Sequence, residues 1–343
     1  MHRHKRIIVG EGLVPSSVFI VFPAEIWYYE RKKKGGMVMA YDLTEPLVIG
    51  ISSRALFDLE KENEIFEREG LEAYARYQLE HEMDVIPKGA AFALVEAFLN
   101  LNKLQDKRLV EVIIMSRNSP DTSLRIINSI QQYGLDIERA AMVGGADIAR
   151  YLDAFKTDLF LSANAADVKQ AVDSGVAAGM ILTGNVPDKS GQPLDPIRIA
   201  FDGDAVLFSA DSERVYKQQG MAAFYQYEQT KANIPMQKGP FASFLLTLAH
   251  IQDLFAGQEQ VPIRTALVTA RSTPGHERAI KTLRSWGVRV DEAFFLGGVE
   301  KKDVLKAFGA HIFFDDQRCH AEPAAEHMAA AVVPYREGDD PTQ

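Results

Sequence analysis

The segment from Ile197 to Phe208 is the sequence feature that most restricts the possible folds of this chain, because an apolar run ends there in two acidic residues. The run predicts a buried strand, and Asp202 and Asp204 follow it directly. The carboxyl ends of strands are where open α/β sheets place their ligands. Two neighbouring acids are costly to bury unless a cation or a shared proton compensates, although such pairs also occur in solvated turns. The pattern favours a Mg²⁺ site with one carboxylate free to act as a nucleophile.

Three further apolar segments of the second half also end in reactive side chains. The first ends in a hydroxyl, the second passes a glycine pair and reaches an amine, and the third ends in a second acidic pair: Thr269, Lys301, and Asp315 with Asp316. Helical patterns alternate with these segments. We therefore expect an α/β fold with a mostly parallel, doubly wound sheet and right-handed crossovers.

The order Asp-x-Asp, Thr, Lys, Asp-Asp resembles the four motifs of the haloacid dehalogenase (HAD) phosphohydrolase superfamily. The resemblance implies that Asp202 attacks phosphorus and that Asp204 acts first as an acid and then as a base. It also implies that Thr269 and Lys301 hold the phosphoryl oxygens. The implied Mg²⁺ ligands are the Asp202 carboxylate, the Asp204 backbone carbonyl and the last acidic pair, Asp315 and Asp316. Which member of that pair binds directly is open, and we expect the first.

The residues around these motifs are similar to the type I cytosolic 5′-nucleotidases. The similar stretches include residues 52–58, 201–209, 268–272 and 312–317, and the resemblance runs from about Pro46 to Tyr335. It implies Mg²⁺-dependent hydrolysis of nucleoside 5′-monophosphates, AMP or deoxynucleotides, to nucleoside and phosphate. A doubled lysine departs from the pattern. Its spacing from the glycine pair favours Lys301 as the phosphate ligand and leaves Lys302 open.

Composition limits the class of protein. With 343 residues and 47% apolar content, the chain can bury a large core and is expected to form two domains. A net charge of −9 argues against a nucleic-acid surface, so an anionic substrate must meet a local positive site. The candidates for that site are Arg271, Lys238 and Lys301. The single Cys319 excludes an intramolecular disulfide and fits a reducing cytoplasm, and no segment predicts a membrane span.

The chain also contains an internal repeat. A shift of 150 residues places Leu47 on Ile197 and Gly70 on Gly220, and later segments align at shifts of 153 to 154. Aligned glycines and loop prolines favour an ancestral duplication over a chance match of strands. We therefore expect a poorly ordered extension, two related HAD-like halves and a short tail, at residues 1–40, 41–190, 191–338 and 339–343.

Only the second half keeps the reactive residues. In place of Asp202 and Asp204 the first half has Ser52 and Arg54, and without carboxylates it cannot hold Mg²⁺, so we expect it to be catalytically inactive. The simpler interpretation is a structural half that packs against the active one. The alternative is a metal-free anion pocket for a nucleotide effector, formed by Ser52, Arg54, Ser116 and Arg117. The assembly state is open, a homo-oligomer included.

An insert between the first two motif strands is expected to cover the carboxyl edge as a helical cap, over about residues 209–261. Helical periodicity extends over residues 212–229 and 240–255. Such a cap can exclude water and select the leaving group. Its aromatic side chains are candidates for stacking on a base, although core packing is their commoner role: Phe224, Tyr225, Tyr227 and Phe241.

Other charged residues have less certain roles. Arg271 is a candidate phosphate or ribose contact, with a surface salt bridge as the alternative. Four acids near the motifs are interpreted as solvated or capping residues: Asp58, Asp147, Asp211 and Glu213. Two rival functions stay open, a HAD phosphatase for another small phosphate ester and a nucleotide-binding regulatory protein. The complete set of reactive residues counts against a pure binder.

Overall fold

The computed structural model describes residues 41–183, 196–258, 261–272 and 275–341 of the chain. Within these ranges ten strands form one sheet: β1 Leu47–Ile51, β2 Val110–Ser116, β3 Arg139–Met142, β4 Leu159–Ser162, β5 Ala177–Ile181, β6 Ile197–Phe201, β7 Ile263–Thr269, β8 Glu292–Phe295, β9 Ile312–Asp315 and β10 Ala329–Val332. The central strands are almost entirely buried, because helices cover both faces of the sheet. For this reason they read as continuous apolar runs.

The described helices form crossovers and inserts between the strands. They are α1 Ser53–Leu56, α2 Glu60–Glu69, α3 Leu71–Glu80, α4 Phe92–Asn100, α5 Leu124–Gln132, α6 Ala149–Leu152, α7 Ala165–Asp173, α8 Asp211–Thr230, α9 Ala242–Leu254, α10 Gly275–Ser285, α11 Lys301–Phe308 and α12 Arg318–Ala325. Local sequence explains several helix ends. The Asn164 side chain accepts a hydrogen bond from the Asp167 backbone N–H at the start of α7, and Gly309, with a φ of 72°, ends α11.

The strand order divides the sheet into two groups that mirror each other. The order is β3-β2-β1-β4-β5-β10-β9-β6-β7-β8, and neighbours are parallel except for the antiparallel pair of β5 and β10. The two groups of five strands therefore share one internal order and run in opposite directions. Their carboxyl ends point in opposite directions, and β5 and β10 pair at these ends, Met180 with Val332 and Ile181 with Ala331. The sequence predicted parallel sheets for the two halves, whereas the structure joins both halves in one sheet through this antiparallel pair.

Local structure also repeats between the halves. Gly70 separates α2 from α3, and Gly220 interrupts α8. Both glycines adopt a conformation that is almost restricted to glycine, with φ of 84° and 82° and ψ of −176° and −179°. Matching β-bridges close the two inserts: Phe57 with Lys88, and Phe208 with Lys238.

One helix of the expected cap packs in the core instead. Phe241, Phe244 and Leu248 in and just before α9 are buried, and the Phe241 ring centroid lies 4.5 Å from that of Phe314 in β9. The predicted cap over residues 209–261 is therefore too wide, because α9 covers a sheet face and Met236, in the loop after α8, also packs in the core, which leaves α8 outside the core clusters. For the same reason the prediction that Phe241 stacks on a base is wrong.

Parts of the predicted domain organisation lie outside the described residues. These include the extension over residues 1–40 and the segment 184–195 between the halves. Of the predicted tail, residues 339–341 are described, and the Asp339 carbonyl accepts a hydrogen bond from Arg214 at 3.3 Å. Among the helices in the described ranges, none is both long and apolar enough to cross a lipid bilayer.

Candidate active site

Four of the predicted catalytic and metal-binding residues meet at the carboxyl edge of the second group of strands. Asp202 follows β6, Thr269 ends β7, Asp315 ends β9 and Lys301 begins α11. Asp202, Thr269 and Lys301 line a cavity of about 320 Å³, and Asp315 is fully buried. The parallel order of β7, β6 and β9 brings together side chains that are far apart in the sequence.

Lys301 is the cation at the centre of this group. Its Nζ atom donates to Asp202 Oδ1 at 2.6 Å and to Asp315 Oδ2 at 2.7 Å. Burial lowers the pKa of the Lys301 ammonium, but the two carboxylates outweigh burial and raise it. Burial raises the pKa of Asp202 to about 6 in spite of the neighbouring lysine, and burial also raises the pKa of Asp315. The side chain that reaches the carboxylates is therefore Lys301 and not the half-buried Lys302.

Three acids form a cluster that fits a divalent cation. One ligand oxygen each from Asp202, Asp315 and Asp316 lies within 4.8 Å of the others. Burial and the charges of Asp202, Glu213 and Asp315 raise the pKa of Asp316 to about 9. Asp316 Oδ2 accepts a hydrogen bond from the Tyr335 hydroxyl, whereas Oδ1 is buried with no protein partner. An unpartnered carboxylate oxygen among like charges is the donor set expected where a cation binds.

The loop after β6 is constrained at two positions. A Cβ atom on Gly203 would lie 3.2 Å from Thr269 Oγ1, so glycine permits the close approach of this loop to β7. Ala205 has a φ of 62°, a left-handed conformation that costs a non-glycine residue about 1–2 kcal/mol. The equivalent first-half residues form the regular turn α1, which the Ser52 hydroxyl caps by accepting from the Ala55 N–H at 3.3 Å. The strained loop belongs to the half with the reactive residues.

Arg271 is buried rather than placed on the surface. Its Nε and Nη2 atoms donate to Asp204 Oδ2 and Oδ1 at 2.7 and 2.6 Å, and its Nη1 donates to Glu228 Oε2 at 2.6 Å. Burial lowers the pKa of the guanidinium, but Asp204 and Glu228 outweigh burial and raise it. The alternative of a surface salt bridge is therefore wrong. Arg271 lines the cavity, yet its strongest contacts are with carboxylates of the protein.

Helix α8 supplies part of the cavity lining. Besides the charged Glu213 and Lys217, it contributes apolar and aromatic side chains, which we call the α8 wall: Tyr216, Met221, Phe224 and Tyr225. Tyr225 is fixed by a hydrogen bond of 3.1 Å between its hydroxyl and that of Ser272. Phe224, predicted as a substrate contact, thus lies on the cavity.

Two other predicted substrate contacts are not among the described residues that line this cavity. The Lys238 Nζ atom lies 6.0 Å from the Trp286 ring centroid, and the Lys238 backbone forms the β-bridge that closes the insert. Tyr227 accepts a hydrogen bond from Lys231 at 3.0 Å and packs under the Arg278 guanidinium. Both predictions placed the side chain by helical or loop position alone, and both side chains point to neighbours within the protein.

The cavity also contains residues that the sequence did not identify as functional. Glu213, expected to be solvated or a cap, is 7% exposed and lines the cavity. Burial raises its pKa, and it accepts hydrogen bonds from Gln317 and Tyr335, each at 3.3 Å. His320 lines the cavity as well, and burial together with the charge of Lys301 lowers its pKa. The spacing of Glu213 and Lys217 within one helical turn was the only sequence signal for this group.

Among its described residues, the first half offers no comparable site. Arg54 donates to Glu60 at 3.0 Å, and Arg117 pairs with Asp167. The Ser53 and Ser116 hydroxyls bond to each other at 3.1 Å, and the Ser52 hydroxyl is used in the cap of α1. The structure thus gives the anion-pocket hypothesis no support, because both guanidinium groups already have carboxylate partners.

Comparison with known proteins agrees with this description. The family model described as 5′-nucleotidase matches residues 39–340, and the chain belongs to that family. Human cytosolic 5′-nucleotidase 1B is 39% identical over 289 residues, which cover 81% of this chain and 47% of the human protein. The chain thus spans about half the length of this relative. The resemblance recognised in the sequence is confirmed at the level of the family.

Proposed function

We propose that this chain hydrolyses nucleoside 5′-monophosphates to a nucleoside and inorganic phosphate, with Mg²⁺ as its cofactor. Membership of the 5′-nucleotidase family and the name of the human relative support the reaction. The observation that carries the proposal is the meeting of Asp202, Lys301 and Thr269 on one cavity beside the buried Asp315. A nucleophile, a cation and a hydroxyl donor so arranged suit phosphoryl transfer, which depends on positioning and charge stabilisation.

Asp202 is the proposed nucleophile. Its carboxylate oxygen forms a bond to phosphorus while the bond from phosphorus to the 5′-oxygen breaks, which leaves a phosphorylated Asp202. Asp204, which lines the same cavity, takes up a proton from solvent on a lone pair that Arg271 leaves free and gives this proton to the departing 5′-oxygen. It then takes a proton from the water that attacks phosphorus and releases phosphate. Thr269 donates a hydrogen bond and Lys301 a charge to the transferring oxygens.

Asp202, Asp315 and Asp316 are the side chains that would hold Mg²⁺, with the Asp204 backbone carbonyl as a further oxygen. When bound, the ion supplies positive charge that offsets the carboxylates and the phosphoryl oxygens. The same positive charge would favour the ionised forms of Asp202 and Asp316, whose pKa burial raises to about 6 and about 9. Lys301 already neutralises one carboxylate, which leaves the cluster negative enough to hold a cation.

The α8 wall is the proposed place of the nucleoside. Phe224 and Tyr225 offer rings, and Tyr216 and Met221 add apolar surface on the same side of the cavity. An aromatic ring stacks on every base, so this wall favours a nucleoside over a sugar phosphate as the leaving group. A preference for AMP or for deoxynucleotides stays a prediction. A cytoplasmic location, a homo-oligomer and a nucleotide effector also stay predictions from the sequence.

Phosphate release from a panel of nucleoside 5′-monophosphates and sugar phosphates tests the proposal. We expect Mg²⁺-dependent release from the nucleotides, lost in excess chelator and lost in Asp202→Asn, which should keep the thermal midpoint of the wild type. Ser52→Ala, at the equivalent position of the first half, is the matched control and should retain the rate. Preferred release from sugar phosphates, or turnover that survives the chelator, would contradict the proposal.

A further inference from the structure

A buried ion-pair network connects α8 to the proposed acid. Glu228, near the end of α8, is 1% exposed, and all of its charge is used inside the protein. Its Oε1 atom accepts from the Ser212 hydroxyl at 2.8 Å and from Arg278 Nη1 at 3.1 Å. Its Oε2 atom accepts from Arg271 Nη1 at 2.6 Å. Glu228 itself is not among the described residues that line the cavity.

Arg271 connects Glu228 to Asp204. Three of its nitrogens are occupied, two on Asp204 and one on Glu228, and its side chain is 2% exposed. Because the guanidinium is planar and its donors are fixed relative to one another, the position of Glu228 determines the plane of the Asp204 carboxylate. Each carboxylate oxygen has two lone pairs, so this grip leaves one on each oxygen for a proton exchanged with the cavity.

We propose that Glu228 is a positioning residue for the reaction, which acts through Arg271 to aim Asp204 at the 5′-oxygen of the substrate. The inference rests on the proposed function, since it gives Asp204 the role of acid and base. The carboxyl-terminal part of α8, where Glu228 lies, thereby contributes to catalysis without contacting the nucleotide.

The first half of the chain separates a structural role from this one. There Arg125 occupies the place of Arg278 and makes the same kind of anchor to the insert, by donating to the Asp84 carbonyl at 3.0 Å and to Glu62 at 2.5 Å. Arg278 correspondingly donates to the Ile234 carbonyl at 2.9 Å. The bond that holds the insert in place is thus present in both halves. In the first half the carboxylate for this arginine comes from Glu62, whose place Ser212 takes in the second half, so there Glu228 supplies it.

The part of the network that reaches Asp204 exists only in the second half. Gln78 replaces Glu228 in the first half, and Arg54 replaces Asp204. Arg117, in the place of Arg271, pairs instead with Asp167, and its side chain is 39% exposed. In the first half no acid has to be oriented. There Arg117 pairs with a residue outside the insert, and Gln78 takes the place of the glutamate. This contrast makes the bond of Glu228 to Arg271, and not its bond to Arg278, the part that is specific to the half with the reactive residues.

Charge balance explains why the loss of Glu228 should disturb Asp204. With Asp204 ionised, the network contains two carboxylates and two guanidinium groups, and each charge has an opposite neighbour. Without the charge of Glu228, Arg271 is left with one carboxylate and is held on α8 no longer by an ion pair but by the ring of Phe224, whose centroid lies 5.4 Å from the guanidinium carbon. A catalytic group that is displaced by less than the length of its hydrogen bond to the substrate already slows the reaction.

Glu228→Gln tests the inference, because it removes the charge and keeps the size. We expect kcat for a nucleoside 5′-monophosphate to fall about 10- to 100-fold, as for other residues that orient a catalytic group, while KM stays close to that of the wild type. Gln78→Ala in the first half is the matched control and should leave kcat unchanged. Thermal midpoints of both variants report on folding.

The leaving group distinguishes positioning of the acid from general damage. A 4-nitrophenolate leaves without a proton, so 4-nitrophenyl phosphate needs no acid in the first step. In single turnovers, Glu228→Gln should slow nucleoside release by the same factor of about 10 to 100 that is expected for kcat. It should change the rate of 4-nitrophenolate release little. Arg271→Lys keeps the charge but cannot grip both oxygens, so it should show the same pattern and serves if Glu228→Gln fails to fold.

A double variant, assayed on the nucleotide alone, checks the route. If Glu228 acts through Arg271, Glu228→Gln combined with Arg271→Lys should lose no more than Arg271→Lys does. Additive losses, equal slowing of both esters, or an unchanged kcat in Glu228→Gln would each overturn the inference. Absence of nucleotide hydrolysis in the wild type would instead overturn the proposed function.

Discussion

Lys301→Met tests whether the buried Lys301 compensates the negative charge of the acidic cluster. The Lys301 side chain is 3% exposed and lies within 2.7 Å of carboxylate oxygens of Asp202 and Asp315, which are 8% and 0% exposed. Removing one partner of such a buried pair leaves charge uncompensated and costs about 3–5 kcal/mol. We expect the free energy of unfolding in urea, at pH 8 without divalent cations, to fall by about that amount.

The pH dependence follows from the carboxylates that remain. Burial raises the pKa of Asp202 to about 6 even with the lysine present, and the variant loses the charge that opposes this rise. A carboxyl whose pKa is raised on folding adds stability below its unfolded pKa and loses that contribution as the pH rises through its folded pKa. The deficit of Lys301→Met should therefore shrink between pH 8 and pH 5.

Lys302→Met is the matched control, since this half-buried neighbour has no bond to the cluster among those described. It should retain the stability of the wild type, and added Mg²⁺ should return part of the stability that Lys301→Met loses. Equal unfolding free energies for Lys301→Met and the wild type at pH 8 would refute the reasoning, as would the larger loss in Lys302→Met.

Four further substitutions test other parts of the structure. Gly203→Ala places a methyl group 3.2 Å from Thr269 Oγ1 and should lower kcat about tenfold by displacing that hydroxyl, with the thermal midpoint little changed. Gly220→Ala and Gly70→Ala should each lower the free energy of unfolding in urea by about 1–3 kcal/mol, because both glycines have a φ above 80°. Only Gly220→Ala should also raise KM, since α8 lines the cavity. Asp158→Asn should raise the free energy of unfolding at pH 7, because burial raises the pKa of this carboxyl and the amide oxygen can still accept from the Val48 N–H. That gain should shrink as the pH falls through the raised pKa of the carboxyl; a gain that persists in acid would point to packing instead.

Much of the second half was predictable from the sequence, because the apolar runs of β6, β7, β8 and β9 are short and end in distinctive residues. A parallel sheet places such ends at one edge, so the meeting of Asp202, Thr269 and Lys301 follows from the strand order. The family and its motifs followed from the same segments. The glycine at each break of the inserts was visible as the aligned pair of Gly70 and Gly220.

Other features were not predictable, since they depend on contacts between distant segments. Periodicity identified α8 and α9 as helices but did not show that α9 faces the sheet. The partners of Arg271 are 43 and 67 residues away along the chain, so its burial has no local signature. Lys238 and Tyr227 were assigned to the substrate by residue type, and the structure turns both toward Trp286 and Lys231. The antiparallel pair of β5 and β10 likewise has no signal within either strand.

The antiparallel contact between β5 and β10 also limits what the first half can do for the reaction. Because β4, β5, β10 and β9 lie between β1 and β6, Ser52 is too far from Asp202 to reach a phosphoryl group held there. Replacement of acids by Ser52 and Arg54 therefore has no direct chemical cost. What the two halves share is one apolar layer, to which both α4 and α9 contribute. A molecule bound beside Ser52 could affect turnover by altering the twist or spacing of the strands that lie between the two positions.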